Sequence, residues 1–258
     1  MDSALGRSLL LDGRCAIVTG GSRGIGAATA RLLGAAGASV VVAGRTEAEV
    51  DRQVELIRDD GGQAMGLATH MGREAEVLRL VRAAAEAFGG PHILVNNAAT
   101  NPFFGDLLEA PRWAWEKVEQ VNLWGALTAI RQCCAVHMSA NGGAIVNIVS
   151  VGAFVGEPAL GLYAMSKAAL VSMTRTLALE LAPSVRVNAV APGLIQTEFS
   201  RALWEDRSVR EARSRSVPLG RLGNPEDVAE VVRFLVTDAC AYVTGVVVPV
   251  DGGRLVAP

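Results

Sequence analysis

The sequence predicts an α/β domain, a parallel sheet covered on both faces by helices, and three observations predict it. Short apolar runs rich in Val, Ile and Ala alternate with helical patterns of about 10–15 residues. The first run ends in a glycine-rich turn, Thr19-Gly20-Gly21-Ser22-Arg23-Gly24-Ile25-Gly26, which opens directly into a small-residue helix. No linker, low-complexity run or internal repeat interrupts the 258 residues. One domain over residues 1–258 is therefore expected, with 1–12 as an N-terminal extension. Half of the residues are hydrophobic, enough to bury one large core.

Residues 14–19 read as a short buried strand and 27–36 as a helix ending at Gly37. Glycines between such elements let the backbone approach a pyrophosphate, which can sit on the helix N-terminus. Residues 39–43 form the next strand, followed by Gly44-Arg45-Thr46. Near this strand end an acidic residue suits a ribose 2′-hydroxyl, whereas an arginine suits a 2′-phosphate. Gly44 fills the acidic slot, Arg45 follows it, and Arg23 can reach the same phosphate. Two arginines and no carboxylate favour NADP(H); the alternative is a pair of solvated surface charges.

The alternation continues: a charged helix over 47–60, a strand over 63–68, a helix over 74–88 and a strand over 92–96, leading into Asn97-Ala98-Ala99-Thr100. A long helical stretch over 111–138 carries Asn122, and a strand over 144–149 ends at Ser150. A helix spans 161–181, a strand 185–190 runs into Ala191-Pro192-Gly193, and 198–216 is polar and arginine-rich. A helix over 225–235 has Pro at its first turn, and 246–250 is the last strand. Such alternation requires right-handed crossovers.

On the helix over 161–181, Tyr163 and Lys167 stand four residues apart and share a face. A phenol ionises near pKa ~10. An ammonium about 4–6 Å away favours the phenolate and makes the tyrosine a usable general acid or base. Such pairs also occur on solvated helix faces; a cofactor site elsewhere in the chain gives this one a purpose.

A formal net charge of −2, with no basic stripe, favours neither nucleic acid nor an anionic membrane as partner. Residues 1–12 lack the sustained apolar core of a signal peptide, and no apolar run is long enough to span a bilayer. Cys15, Cys133, Cys134 and Cys240 lack metal-site spacing and the three histidines are scattered, so reduced thiols in the core and no metal are expected. A cytoplasmic location follows as the expectation.

Thr19-Gly20-x-x-x-Gly24-x-Gly26, Asn96-Asn97-Ala98-Ala99, Asn122, Ser150, Tyr163-x-x-x-Lys167 and Pro192-Gly193 stand in one order and at one set of spacings over nearly the whole chain. In these the sequence resembles the short-chain dehydrogenase/reductase family. The resemblance implies a single Rossmann-type doubly wound domain with seven parallel strands in the order 3-2-1-4-5-6-7. It implies a catalytic tetrad. Tyr163 gives a proton to the substrate carbonyl oxygen, and Ser150 hydrogen-bonds that oxygen. Lys167 lowers the Tyr163 pKa and binds the nicotinamide ribose, and Asn122 holds a water of a proton relay. The hydride belongs to the cofactor. Ser150 as a turn residue at a strand end and Asn122 as a helix-distorting cap also have ordinary structural uses.

The implied cofactor set is Gly20, Ser22, Arg23, Gly24, Ile25 and Gly26 from the first turn, then Arg45, Thr46, His70, Met71, Asn97, Ala98 and Ala99. Tyr163, Lys167, Pro192, Gly193, Ile195 and Thr197 complete it. His70-Met71 stands where most members place an Asp that bonds the adenine amino group, so a backbone contact from Met71 is expected there. The stretches Asn101-Pro102-Phe103-Phe104-Gly105 and Phe199–Trp204 resemble NADP-dependent carbonyl and retinal reductases, whose peroxisomal members end in a Ser-Arg-Leu type tripeptide. This chain ends Val256-Ala257-Pro258.

Phe103, Phe104, Val151, Phe154, Leu160, Leu203 and Trp204 are the expected apolar pocket for a hydrophobic ketone, aldehyde or secondary alcohol. The 3-oxoacyl-[acyl-carrier-protein] (or CoA) reductases share the tetrad and are the second reading. Arg207, Arg210, Arg213 and Arg215 would then meet an acidic carrier, though a solvated helix face explains them more simply. A non-catalytic NADP-binding sensor is the reading from another class; such descendants typically lose the tyrosine or lysine. The resemblance further implies a homotetramer through 111–138, 161–181 and the last strand.

Overall fold

The computed structural model describes residues 9–257, so the first eight residues of the expected extension lie outside the described ones. Leu11 of that extension is fully buried, and its N–H donates to the Ala36 carbonyl at 2.8 Å. It belongs to the core.

Seven strands form one parallel sheet: β1 (Cys15–Thr19), β2 (Ser39–Gly44), β3 (Gln63–Ala68), β4 (Ile93–Asn96), β5 (Gly143–Ile148), β6 (Val185–Pro192) and β7 (Val247–Val250). Their order is β3-β2-β1-β4-β5-β6-β7, as the family resemblance implied. From β1 the chain builds outward to β3, then crosses back to β4 on the other side. Ligands bind beyond the strand ends at such a reversal.

Strands buried on both faces read as near-continuous apolar runs, and alternate residues feed two cores. Ala16, Val18, Val40, Val42, Ile93 and Val95 pack with α1 (Gly24–Ala35), α2 (Glu47–Asp59) and α7 (Pro225–Val236). Ile17, Val41, Leu94 and Ile145 pack with α3 (Glu74–Phe88), the long helix α4 over residues 112–141, and α5 (Gly161–Glu180). A short helix α6 (Arg207–Arg215) lies in the polar segment and buries none of its residues.

Three differences from expectation have physical reasons. Helix α1 starts at Gly24, so part of the glycine turn is itself the first helical turn. Strand β6 runs on to Pro192, because Ala191 and Pro192 find partners in Pro249 and Val250 of β7. Helix α4 contains two π-helical turns, Glu119–Trp124 and Cys134–Met138, that no sequence period announced. The first of them carries Asn122.

Candidate active site

A cleft of about 1090 Å³ opens beyond the strand ends. Its floor is built by hydrogen bonds the motif residues make to one another. The buried Thr19 hydroxyl donates to the Val95 carbonyl at 3.2 Å and accepts from the N–H groups of Asn97 and Ala98 at 3.0 and 3.1 Å. Asn97 Nδ2 donates to the carbonyls of Thr19 and Gly20, both at 3.0 Å. The ends of β1 and β4 are thus tied together and hold the glycine turn at fixed height. A deeper ladder continues the tie: Asn96 Nδ2 donates to Asn147 Oδ1 at 3.0 Å, and Asn147 Nδ2 to Thr174 Oγ1 of α5 at 2.9 Å.

Gly20 has φ +62°, and a Cβ there would stand 2.9 Å from Asn97 Nδ2. Gly26 lies under the turn, where a Cβ would overlap the Gly20 carbonyl oxygen. Glycine is thus required at both, by backbone angle and by close approach. No side chain caps the start of α1 and its first turn holds no carboxylate, so the positive helix end faces the cleft uncompensated. A cradle of bare backbone at a helix N-terminus fits a dinucleotide pyrophosphate.

Gly20, Ser22, Arg23, Gly24, Ile25, Arg45, Thr46, His70, Met71, Asn97, Ala98 and Ala99 line the cleft, as do Pro192, Gly193, Ile195 and Thr197. Gly26 does not; it serves packing beneath. Arg23 and Arg45 are exposed, and neither joins an ion pair among the described residues. Glu49, on the same wall, accepts from the Ser22 hydroxyl at 3.4 Å. His70 Nδ1 accepts from the Gly72 N–H at 3.0 Å, while Nε2 stands 3.0 Å from Lys117 Nζ. Burial, with Lys117 and Arg73 nearby, pushes the imidazole pKa down and keeps it neutral.

Ser150, Tyr163 and Lys167 line the other half. Ser150 caps the turn Val151–Ala153, its Oγ accepting from the Gly152 N–H at 3.1 Å, so its structural use and its place on the wall coexist. Lys167 is fully buried, and its Nζ donates to the Ile148 carbonyl at 2.7 Å. Burial pushes the ammonium down to about 8. Its Nζ lies 5.5 Å from the centroid of the Tyr163 ring.

The expected lowering of the Tyr163 pKa by Lys167 is outweighed in the folded wall. Burial raises it, and the Glu157 carboxylate raises it further. A low-dielectric wall penalises phenolate and ammonium alike, and the weakened cation does not offset that. Tyr163 is thus held as a neutral phenol, the form that donates a proton.

Asn122 sits behind the cleft, buried. Its Oδ1 accepts from the Thr100 N–H at 2.8 Å, and its Nδ2 donates to the Thr100 carbonyl and to Ser166 Oγ, both at 3.0 Å. The side-chain amide is committed to pinning the loop after β4 against α5. Both Nδ2 hydrogens are used, and the second lone pair of Oδ1 is what the side chain has left for a relay water.

Of the expected apolar pocket, Phe104, Val151, Leu160 and Leu203 line the cleft, while Phe103, Phe154 and Trp204 do not. Phe103 turns inward onto Ala114, Val118 and Leu162. Trp204 is held by its indole N–H, which donates to the Thr197 carbonyl at 3.2 Å and to Ser200 Oγ at 3.1 Å. Phe154 is 44% exposed, away from the wall.

Lining residues outside the expected set include Phe199, whose ring centroid is 5.9 Å from that of Tyr163, Glu157 and Arg254; of the four arginines offered to a carrier, Arg213 alone reaches the cleft. Glu157 left a signal: it is the lone carboxylate in the otherwise apolar stretch between Ser150 and Tyr163. The four cysteines are free, and burial raises the pKa of each; Cys15 reaches about 12. No described helix is long and apolar enough to cross a membrane.

The family model described as Enoyl-(Acyl carrier protein) reductase matches residues 20–254. Dehydrogenase/reductase SDR family member 4 of Sus scrofa is 42% identical over 244 residues, which are 94% of this chain and 88% of that protein. A 7α-hydroxysteroid dehydrogenase solved with NADH and 7-oxo glycochenodeoxycholic acid superposes with TM-score 0.91 at 31% identity, covering 95% of this chain and 96% of the other. A gluconate 5-dehydrogenase from Burkholderia cenocepacia J2315, solved with NADP and tartrate, gives TM-score 0.92 at 31% identity, covering 98% and 100%. The chain therefore belongs to the short-chain dehydrogenase/reductase family and is an oxidoreductase of that family, which binds NAD(P)(H).

Proposed function

We propose that the protein is an NADP(H)-dependent reductase of hydrophobic ketones or aldehydes, able to run in reverse on secondary alcohols. The observation that carries this reading is the division of one cleft into two chemically distinct ends. Among the described residues Arg23 and Arg45 stand unpaired at the first, and Ser150, Tyr163 and Lys167 stand among apolar side chains at the second.

A 2′-phosphate brings a double negative charge, and two free guanidinium forks suit it better than the single carboxylate of Glu49 suits a hydroxyl. Gly20, Gly24 and Ile25 hold the pyrophosphate at the start of α1, and Lys167 holds the nicotinamide ribose. When bound, the dinucleotide supplies or receives the hydride. The protein moves the proton. Ser150 Oγ donates a hydrogen bond to the substrate oxygen and orients it. The Tyr163 hydroxyl then delivers its proton to that oxygen as negative charge develops there. Burial keeps the phenol protonated but also makes it a weaker acid, so the charge developing on the substrate oxygen has to draw the proton off.

A second reading, reduction of a 3-oxoacyl thioester, has one observation in its favour: Arg213 opens on the cleft. The oligomer expected from the resemblance also stays a proposal. Its support is the apolar side chains left exposed on α4 and α5, among them Trp124, Met165 and Leu179, and light scattering tests it.

Tyr163→Phe tests the central assignment. The variant should bind NADPH with unchanged fluorescence enhancement while ketone turnover falls by about 10²–10⁴-fold. Equal turnover in the variant would remove Tyr163 from the chemistry. Acetoacetyl-CoA in the same assay decides the second reading.

A further inference from the structure

Helix α6 carries four arginines, and they are not equivalent. Arg207 is paired with Glu211 at 2.8 Å, whereas Arg213 alone of the four lines the cleft. A second arginine reaches the same cleft from the far end of the chain. Asp251 accepts from the N–H groups of Gly253 and Leu255 at 2.9 and 2.8 Å and so folds the C-terminal residues into a turn. The Leu219 N–H donates to the Gly252 carbonyl at 3.1 Å, and the side chains of Val217 and Pro218 lie against Gly252 and Gly253. That turn is therefore seated on the segment that follows α6, and it presents Arg254 to the cleft.

Neither Arg213 nor Arg254 joins an ion pair among the described residues. The Glu157 carboxylate, on the same wall, feels both cations yet lies beyond ion-pair distance of each. Its Oε2 lies against the turn after Ser150, where a Cβ on Gly152 would stand 2.6 Å away. Two cations face one withdrawn carboxylate, and Phe104, Phe199 and Leu203 complete the wall. Glu198, also on the wall, is engaged by Arg201 at 3.5 Å. This end of the cleft is apolar near Tyr163 and cationic at its rim.

We propose that Arg213 and Arg254 form a clamp for a carboxylate, so that the preferred substrates are oxo acids with an apolar body between the reacting carbonyl and the acid group. The inference rests on the reading of the cleft as a carbonyl-reducing site and adds the substrate class. A guanidinium pair recognises a carboxylate through charge-assisted hydrogen bonds. The cofactor phosphates do not compete for the clamp, because Arg23 and Arg45 serve the opposite end, beside Gly44.

The test measures NADPH-dependent reduction of methyl-ketone fatty acids of increasing chain length against their methyl esters. For at least one chain length, kcat/KM of the acid should exceed that of its ester by about tenfold, and added salt should erode the advantage. In the double variant Arg213→Gln, Arg254→Gln the ratio should fall to near one through a rise in the KM of the acid, with Arg213→Lys, Arg254→Lys intermediate. Equal handling of acids and esters at every length by the unaltered protein overturns the clamp and leaves the reductase reading standing. Turnover of neither series overturns both.

Discussion

The two ends of the cleft are built on opposite principles. At the dinucleotide end the wall is backbone: Gly20 and Gly26 sit where a Cβ would collide, and Thr19 and Asn97 fix the turn with hydrogen bonds of 3.0–3.2 Å. At the substrate end the wall is side chain, drawn from the turn after β5, the 3-10 turn Glu198–Leu203, α6 and the C-terminal turn. At the first end there is no room for a Cβ at Gly20 or Gly26. The second is where side chains can be exchanged without moving backbone, and where specificity is expected to be set. The same division explains why a family can keep one cofactor site and vary its substrates.

Substitutions break or sharpen this contrast in order of size. At the dinucleotide end, Arg23→Ala with Arg45→Ala should weaken NADPH binding by about ten- to a hundredfold while NADH binding changes far less, read by fluorescence titration. An equal loss for both cofactors would place the arginines away from the 2′-phosphate. Gly26→Ala should cost about 1–3 kcal/mol of folding stability in thermal denaturation, since the added methyl meets backbone that cannot yield.

The substrate end should answer more gently. Glu157→Gln removes the charge that adds to burial in raising the Tyr163 pKa. Alcohol oxidation needs the phenolate, so its rate rises with pH, and the alkaline limb should move to lower pH in the variant. An unmoved limb would uncouple Glu157 from Tyr163. In the reductive direction, turnover should fall as pH rises through about 8, where Lys167 loses its proton. Trp204→Phe should be smallest, about 1 kcal/mol of stability from one indole donor and little change in kcat/KM, because the ring faces Thr197 and not the cleft.

Legibility in the sequence follows the same line. The strand Gln63–Ala68 and helix Glu74–Phe88 have the bounds their patterns predicted, because period and termini are local properties. The glycine turn, Tyr163 and Lys167 were readable because their chemistry needs fixed spacings along one segment. Arg254 was not, because only the packing of Gly252 and Gly253 on Val217 and Pro218 carries it to α6. Phe103 and Trp204 were assigned to the pocket on hydrophobicity alone, and apolar character cannot say which way a side chain turns. The direction of the Tyr163 pKa is hidden for a related reason: spacing reveals the neighbouring cation, while burial and Glu157 depend on the folded wall.

The most direct measurement of the central claim is hydride transfer itself. NADPH deuterated at one face of nicotinamide C4 is incubated with a hydrophobic ketone, and the alcohol is analysed by mass spectrometry. One deuterium should appear on the carbinol carbon from one labelled face only, and be lost in Tyr163→Phe. Tight NADPH binding with no deuterium in any carbonyl-derived product would contradict the claim and leave a nucleotide-binding protein without reductase chemistry.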